Sequence, residues 1–516
     1  MKVWTRAVLN EFVRTKLEGY RFIVVSNREP FQHRRVGGHI ECTQPASGMA
    51  SALDPVMRAC GGLWIAHGSG DADRQTVDHF DHVRVPPEHP TYTLRRVWLS
   101  KDEEDGYYLG LSNQGLWPLC HVAFTRPIFD PHHWNIYRRV NERFAEAVLE
   151  EAGDDPTFVF IQDYHFALLP RMLRNARSNL VIGQFWHIPW PNCEVFRAFP
   201  WQAEILDGLL ANDVLGFHLA QHCRNFLECV DCSIEARVDH AGSEVCRGGH
   251  CTVVRPFPIG IDFDAHADLA ESDAVAMQMR RWRKELSLGS KLVGIGIDRL
   301  DYTKGIPERL RFLDRLFETN PSYRGKVVFL QVSVPSRCTV PAYRQLESEV
   351  EALIAHINLR WSTASWRPIV LLKRCCTQAE MIALHRLAHF CVVSSLDDGM
   401  NLVAKEFVSS RVDEDGVLIL SKFAGASREL KEALQINPFS VEEGAEAYRA
   451  ALQMHSDERR RRMRRMRETV EQNNVYRWAG KFLSQLVNVE FPEGDEEQYA
   501  IASLQPARRA ALGVAV

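Results

Sequence analysis

Short apolar runs recur along the chain, each followed by a polar or glycine-rich turn and then a stretch with helical periodicity. Runs this continuous, and this rich in Val and Ile, are typical of strands buried on both faces of a parallel sheet. Their alternation with helices predicts βαβ units, enough for two doubly wound sheets. The predicted strands are Phe22–Ser26, Leu63–His67, Phe158–Gln162, Val181–His187 and Val214–His218 in the first half, and Leu292–Asp298, Val327–Val334, Ile369–Lys373, Cys391–Ser395 and Val417–Ser421 in the second.

The pattern is interrupted at Val253–Phe263, where two prolines and a glycine predict a domain boundary. The length of 516 residues suits two large domains. We therefore expect an α/β fold with two Rossmann-like domains, residues 1–255 and 256–474, facing each other across a cleft. A C-terminal helix at about 475–490 is expected to pack back on the first domain, and the tail 491–516 is expected to be disordered.

Composition and charge exclude several classes of protein. With 62 Lys and Arg against 66 Asp and Glu, the net charge of −4 does not suggest a nucleic-acid or membrane-surface partner. The basic stretch Arg459–Arg467 has Met463, Met466 and Val470 at helical spacing, which predicts a helix with solvated arginines. The longest apolar runs are too short to cross a membrane. The first twenty residues carry charges throughout and have no apolar core, so a cytoplasmic protein is expected.

Thirteen cysteines in such a chain are expected to be mostly reduced thiols. One group has a spacing that a structural zinc site could use, and it comprises Cys229, Cys232, Cys246 and Cys251. The alternative is that Cys229 belongs to an apolar helix and the others to a polar loop. The sequence favours this alternative but leaves the zinc site open, and we predict no metal and no cofactor in the active site.

Polar side chains follow the predicted strands at their carboxyl ends, where open parallel sheets bind ligands. Two such sheets facing each other would bring both sets of side chains into one cleft, as expected of an enzyme with two substrates. The strand-end residues are Asn27, Arg28, Asp163, His187, Arg299, Arg337, Asp397 and Asp398.

Two segments in the second half favour binding of a diphosphate. In SSLDDGMNLVAKEF (Ser394–Phe407), a helix predicted to begin near Asn401 would direct backbone N–H groups at an anion, with Glu406 one turn further on. In IDRLDYTKG, Arg299 and Lys304 supply two cations five residues apart. Solvated side chains are the alternative for each of these residues. Arg299 also stands where a nicotinamide fingerprint requires its third glycine, which argues against an oxidoreductase.

In the first half, ASGM supplies a loop in which the backbone of Gly48 can approach a phosphate closely. The motifs VVSNR, GYYLGLSNQGLWPLCH, IQDYH, FWHIPWP, DRLDYTKG, VPSR, DGMNLVAKEF and LSKFAGASREL together resemble those of the trehalose-6-phosphate synthases. Eight such motifs in order, from about Arg21 to about Leu486, do not coincide by chance. Those enzymes are retaining glycosyltransferases with the two-Rossmann-domain GT-B fold.

The resemblance implies transfer of glucose from a nucleotide diphosphate glucose, with UDP the expected nucleotide, to glucose-6-phosphate. It assigns donor binding to Gly48, Arg299, Lys304, Asp398, Gly399, Met400, Asn401, Leu402 and Glu406. It assigns acceptor binding to Arg28, Tyr108, Trp117, Asp163 and Arg337. It gives catalytic roles to Arg299, Lys304, His187 and Asp163. No residue matches a covalent nucleophile, which fits a reaction on one face of the sugar.

One departure concerns the acceptor. The family commonly has Trp-x-Gly-Trp where this chain has WIAH, so Trp64 is retained while Ala66 and His67 differ. Another acceptor, such as glycerol-3-phosphate or a modified sugar phosphate, therefore stays open, as does a catalytically silent regulatory homologue. The sequence also leaves open which nucleotide the donor carries. It does not decide the oligomeric state, and it is compatible with a homo-oligomer.

Overall fold

Two sheets organise the chain in the computed structural model, which describes residues 4–45 and 48–490. Within those residues the first sheet has ten strands in the order β10-β11-β12-β9-β8-β7-β1-β4-β6-β5, and its seven central strands run parallel. The strands are β1 Arg21–Arg28, β4 Leu63–His67, β5 His82–Val85, β6 Tyr92–Val97, β7 Thr157–Gln162, β8 Val181–Phe185, β9 Val214–Phe217, β10 Arg237–Asp239, β11 Glu244–Arg247 and β12 His250–Pro256. A separate hairpin pairs β2 Gln32–Val36 with β3 His39–Thr43.

The second sheet contains six strands in the described part of the chain, all parallel, in the order β15-β14-β13-β16-β17-β18. They are β13 Leu292–Arg299, β14 Val327–Val334, β15 Ile369–Leu372, β16 Phe390–Val393, β17 Val417–Ser421 and β18 Leu434–Ile436. The order of strands reverses beside β1 in the first sheet and beside β13 in the second. Such reversals open a crevice at the carboxyl ends of the strands.

Helices cover both faces of these sheets, so the strands are buried and apolar, as the sequence predicts. A π-helical segment, Glu104–Leu116, joins α3 to α4. The α-helices are α1 Arg6–Lys16, α2 Gly48–Cys60, α3 Lys101–Glu103, α4 Trp117–His121, α5 Pro131–Ala152, α6 Leu169–Ala176, α7 Cys193–Phe196, α8 Gln202–Leu209, α9 Ala220–Ser233, α10 Phe263–Glu271, α11 Asp273–Glu285, α12 Ile306–Thr319, α13 Pro341–Trp361, α14 Gln378–Leu387, α15 Leu402–Ser410, α16 Val441–Gln453, α17 Ser456–Gln472 and α18 Val475–Glu490.

Each predicted strand corresponds to a strand of the structure, although several end earlier than expected. β8 ends at Phe185, so His187 lies in the loop that follows it, and β16 ends at Val393, before Ser395. The sequence missed β12, because the prolines of the interrupted segment suggested a boundary there. β12 is nevertheless paired in parallel with β9.

The chain crosses between the two sheets twice, at neighbouring points. Val475 donates its backbone N–H to the carbonyl of Ile261, and a Cβ atom at Gly260 would lie 2.1 Å from the carbonyl oxygen of Asn473. Only glycine permits this close approach of the two crossing segments. After the second crossing, α18 packs on the first sheet, where Phe482 lies 4.4 Å from the ring centroid of Phe160.

In α17 the buried residues are Met463, Met466 and Val470, as predicted. Most arginines of the same helix pair with Glu or Asp side chains, as Arg464 does with Glu414, whereas Arg467 is half-buried and donates to the carbonyls of Val408 and Ser409. In residues 4–45 and 48–490, no helix combines the length and the hydropathy that a membrane span requires. The tail 491–516 lies outside the described residues.

Candidate active site

The two crevices face each other, and side chains from both sheets meet between them. Trp117, which begins α4, donates its indole N–H to the carboxylate of Asp301 after β13, at 3.4 Å. The guanidinium of Arg299, at the end of β13, lies 5.5 Å from the Trp117 ring centroid. A Cβ atom at Gly399 would lie 2.7 Å from the carbonyl oxygen of His187. Residues at the carboxyl ends of strands in both halves, among them Arg299 and His187, therefore lie in one cleft.

Three guanidinium groups converge on one side of this cleft. Arg28 ends β1 and donates from Nη2 to the hydroxyl of Tyr108 at 2.8 Å. Arg337 follows β14 and lies 5.9 Å from the Tyr108 ring centroid and 4.5 Å from that of Trp117. With Arg299, these two arginines concentrate positive charge next to two aromatic rings. Such an arrangement suits a phosphate group carried on a sugar.

The side chain of Arg337 is only 4% exposed. Its Nη1 donates to Asp301 Oδ2 at 3.1 Å and to the hydroxyl of Tyr343. Its Nε–H has no hydrogen-bond acceptor among the described residues. The backbone of Arg337 has a φ of +49°, which is unusual for a residue other than glycine and occurs often at functional sites. A buried donor without an acceptor, in a cleft, indicates that a ligand completes its bonding.

Asp301 is a functional residue that the sequence did not single out. Its carboxylate, which is fully buried, pairs with Arg337 and lies 3.8 Å from Arg299. It also accepts from the backbone N–H and hydroxyl of Thr303. Burial raises its pKa, but Arg337 and Arg299 outweigh burial and hold the pKa below the usual range. Asp301 stands inside the motif DRLDYTKG, from which the sequence analysis took only Arg299 and Lys304.

Lys304 and Asp398 form a second charged centre, farther along the carboxyl edge of the second sheet. Lys304 Nζ lies 2.6 Å from Asp398 Oδ2. Asn401 also donates to this oxygen and accepts from the N–H of Ala404 as the cap of α15. Burial raises the pKa of Asp398, but the charge of Lys304 outweighs it and lowers the pKa to about 2. Asp398 is therefore a carboxylate at any physiological pH.

The loop Gly399–Leu402 leads into α15, which begins at Leu402 as expected. Asn401 has a φ of +72°, so the chain turns sharply there and leaves the first N–H groups of the helix facing the cleft. Gly48 begins α2 on the opposite side, and a Cβ atom on it would lie 3.7 Å from Leu402 Cδ1. Met400 is buried behind the loop. Burial raises the pKa of Glu406, one turn into α15, to about 7.

His187 and Asp163 lie between the two charged centres. Asp163 has a φ of +74° and accepts the backbone N–H of His187 at 3.2 Å. Burial raises the pKa of Asp163 to about 7. The His187 ring is within 2.9 Å of the Gln162 side-chain oxygen, and burial lowers its pKa to about 3. His187 is therefore neutral, and it can donate or accept hydrogen bonds without carrying charge.

The zinc site that the sequence left open is not formed. Cys246 and Cys251 face each other across β11 and β12 and are joined by a disulfide, so not all thirteen cysteines are free thiols. Cys229 is buried in α9, where it accepts the indole N–H of Trp190 at 3.3 Å. The disulfide removes two of the four thiolates that this zinc site would need. The alternative was correct in placing Cys229 in an apolar helix, but it was wrong about the polar loop, because Cys232 also lies in α9 and Cys246 and Cys251 lie in strands.

Comparison with known proteins identifies the family. The profile of glycosyltransferase family 20 matches residues 20–488, nearly the whole chain. The chain belongs to glycosyltransferase family 20. It is therefore a glycosyltransferase, as the resemblance in its motifs implied.

Members of family 20 with curated names match over most of the chain. The bifunctional trehalose-6-phosphate synthase/phosphatase of Thermoproteus tenax is 38% identical over 492 residues, which cover 93% of this chain and 65% of that longer protein. The trehalose-6-phosphate synthase of Mycolicibacterium vanbaalenii is 38% identical over 484 residues, which cover 92% of this chain and 98% of that one.

A solved family 20 structure confirms the GT-B fold. It is the α,α-trehalose-phosphate synthase (UDP-forming) of Burkholderia xenovorans in complex with glucose-6-phosphate. The TM-score is 0.81 at 32% identity, covering 90% of this chain and 99% of that one.

Of the two residues that depart from the family pattern, Ala66 and His67, the second lies next to the arginine cluster. It ends β4 and pairs in register with Arg28 of β1. Burial lowers its pKa to about 4, so its imidazole is neutral beside the guanidinium. A neutral ring at this position does not add to the positive charge of the cleft.

Proposed function

We propose that this family 20 enzyme is a trehalose-6-phosphate synthase. It transfers glucose from UDP-glucose to glucose-6-phosphate, with retention, and forms α,α-trehalose-6-phosphate and UDP. The observation that carries this proposal is that one cleft holds two charged centres, the arginine cluster and the Lys304–Asp398 pair. A sugar phosphate needs one of them, and a nucleotide diphosphate needs the other. The names of the relatives support the same substrates.

The arginine cluster is assigned to the acceptor. Arg28 and Arg337 bind the phosphate of glucose-6-phosphate from opposite domains, residues 1–255 and 256–474, so that acceptor binding also draws these domains together. Tyr108 and Trp117 cover the sugar with their aromatic rings. The unsatisfied Nε–H of Arg337 supports this assignment, because it requires an acceptor such as a phosphate oxygen.

The second centre is assigned to the donor. Lys304 and Arg299 bind the diphosphate, and Gly48 allows the backbone to approach it closely. The N–H groups of Gly399–Leu402 and the carboxylate of Asp398 bind the hydroxyl groups of the donor glucose, with Met400 and Asn401 shaping the loop. His187 contacts the 6-hydroxyl. Glu406 accepts hydrogen bonds from the ribose, for which a carboxylate one turn into α15 is well placed.

Transfer proceeds on one face of the donor sugar. The bond between C1 of glucose and the β-phosphate oxygen breaks, and the 1-hydroxyl oxygen of the acceptor bonds to C1 from the same side. The proton of that hydroxyl passes to the departing phosphate oxygen. Lys304 and Arg299 stabilise the negative charge that grows on this oxygen. Asp163 orients the acceptor sugar, and no covalent glycosyl-enzyme intermediate is formed.

A matrix of donors and acceptors tests this proposal. UDP-, ADP- and GDP-glucose are each incubated with glucose-6-phosphate, glycerol-3-phosphate and free glucose, and the products are identified by mass. We expect a disaccharide phosphate from UDP-glucose and glucose-6-phosphate. A glycerol product would favour the second candidate function, transfer to another acceptor, which the neutral His67 beside Arg28 keeps open. A matrix without any product would identify a regulatory homologue and refute the proposal.

The proposal also covers the cellular location of the enzyme and the domain to which α18 belongs. We assign the enzyme to the cytoplasm, because both substrates are charged phosphate esters for which a bilayer is a barrier. α18 belongs functionally with the first domain, since it packs on the first sheet through Phe482.

A further inference from the structure

Tyr108 occupies an unusual position within the arginine cluster. Its hydroxyl lies 2.8 Å from Arg28 Nη2, and the guanidiniums of Arg28 and Arg337 lie 5.2 Å and 5.9 Å from its ring centroid. Arg299 completes the cluster, 5.5 Å from the ring centroid of Trp117. A phenol in contact with this much positive charge is an acid with a stabilised conjugate base.

The charges around Tyr108 do not balance without it. Three guanidiniums converge there, whereas Asp301 is the one neighbouring carboxylate whose pKa is held below its usual range. Asp163, the other neighbouring carboxyl, has its pKa raised to about 7 by burial. The ring of His165 stacks on Tyr108 with centroids 5.8 Å apart, and burial holds the pKa of this histidine well below its usual value. The cluster therefore has an excess of positive charge at neutral pH.

The titratable and charged groups that act directly on Tyr108 are Arg28 after β1, Tyr107 beside it, Tyr164 and His165 after β7, Arg299 after β13 and Arg337 after β14. Around these groups lie Tyr137 of α5 and Asp163, which are neighbours of Tyr107, and Asp301 and Tyr343, which bind Arg337. Among these neighbours only the arginines are cations at neutral pH.

We propose that Tyr108 is a phenolate when the cluster holds no phosphate, and that it takes up one proton when the acceptor phosphate binds. The phenolate neutralises part of the guanidinium charge in the free enzyme. A phosphate dianion replaces it as the partner of the arginines, and the neutral phenol then donates a hydrogen bond to a phosphate oxygen. This inference rests on the proposed acceptor site, and it implies that the affinity of this site for phosphate depends on pH.

The protonation behaviour of Tyr108 supports this exchange. Burial raises its pKa, but Arg337, Arg28 and Arg299 outweigh burial and lower the pKa to about 7. Burial raises the pKa of other tyrosines in the described residues, which are Tyr20, Tyr92, Tyr107, Tyr137, Tyr164, Tyr302, Tyr343, Tyr448 and Tyr476. A tyrosinate signal near neutral pH that is absent from Tyr108→Phe therefore reports on Tyr108.

The sign of the linkage follows from the two states. The free enzyme loses the phenol proton as the pH rises through about 7, whereas the phosphate complex retains it. Phosphate binding should therefore be strongest below that pH and weaken by about tenfold per pH unit above it. The second pKa of a free phosphate monoester is about 6, so the ligand is already a dianion at about pH 8. Any proton taken up on binding at this pH must therefore enter the protein.

The test is the near-ultraviolet absorbance of tyrosinate in the substrate-free enzyme, titrated from about pH 6 to about pH 9. The wild type should show a step of one tyrosine with a midpoint near 7. Tyr108→Phe should lack it. Tyr107→Phe is the matched control, because it removes a neighbouring hydroxyl that has no hydrogen-bond partner in the described residues, and it should keep the step. A step that survives in Tyr108→Phe, or a wild type without a step, would overturn the inference.

The link to phosphate is measured with glucose-6-phosphate and with inorganic phosphate. Near pH 8 either ligand should abolish the tyrosinate step, and calorimetry in buffers of different ionisation enthalpy should give about one proton taken up. Tyr108→Phe should bind without proton uptake. Unchanged absorbance on saturation with either ligand would also overturn the inference. These measurements need no turnover, so a failed synthase assay would refute the proposed function and leave this result standing.

Discussion

Replacement of Arg337 by methionine is the substitution that tests the acceptor site most sharply. Methionine preserves much of the aliphatic length and removes the guanidinium. Arg337 offers its free Nε–H and its charge to the acceptor phosphate, and a hydrogen bond to a charged group contributes about 1.5–3 kcal/mol. Since about 1.4 kcal/mol corresponds to a factor of ten, the KM for glucose-6-phosphate should rise about ten- to a hundredfold.

Free glucose separates phosphate recognition from damage to the fold. Asp301 keeps its contacts with Thr303 and Arg299 when Arg337 is removed, so the variant should remain folded, as thermal unfolding will check. Activity with free glucose should be weak in the wild type, because free glucose lacks the phosphate, and it should be unchanged in Arg337→Met. Arg344→Met, an exposed arginine on the same helix as Tyr343, is the control and should alter neither acceptor. An equal loss with both acceptors would refute the assignment of Arg337 to the phosphate.

Three further predictions concern the donor side. Lys304→Ala should lower kcat by about 10²–10³-fold and change the KM for the donor less, because negative charge on the leaving phosphate grows as the glycosidic bond breaks. A raised donor KM at constant kcat would mean that Lys304 binds the donor without stabilising the transition state. Activity should survive thorough treatment with EDTA, since Lys304 and Arg299 supply the charge that Mg²⁺ often supplies; a loss reversed by a divalent metal would contradict this. Burial raises the pKa of Glu406 to about 7, and a carboxylate is needed to accept from the ribose, so donor affinity should increase as the pH rises through that value. Glu406→Gln should remove this pH dependence, and a dependence that persists would assign it to another group.

The sequence predicted the sheets well because strands buried on both faces leave a strong local signal. Val327–Val334, for example, has the same bounds as β14. Prolines misled the prediction at β12, whose pairing with β9 depends on a contact distant in sequence. No local pattern reports such a partner. The disulfide was missed for the same reason, since the opposition of Cys246 and Cys251 depends on the hairpin that β11 and β12 form.

The sequence proposed individual residues for the site but could not predict how they contact one another. Strand ends identified Arg28 and Arg299, because the carboxyl edge of a parallel sheet is where ligands bind. The role of Asp301 was not visible, since its partners Arg337 and Trp117 come from two other segments and meet it only after folding. The altered acidity of Tyr108 has the same origin, because its neighbouring charges come from separate strands.

The linkage and configuration of the product test the central claim most directly. The enzyme is incubated with UDP-glucose carrying ¹³C at C1 and with unlabelled glucose-6-phosphate, and the product is analysed by NMR. We predict a 1,1-linked disaccharide phosphate in which both anomeric protons show the small coupling of α-glucosides, with the label confined to the unphosphorylated ring. A β configuration at the labelled carbon, or a linkage to any other acceptor hydroxyl, would contradict the account.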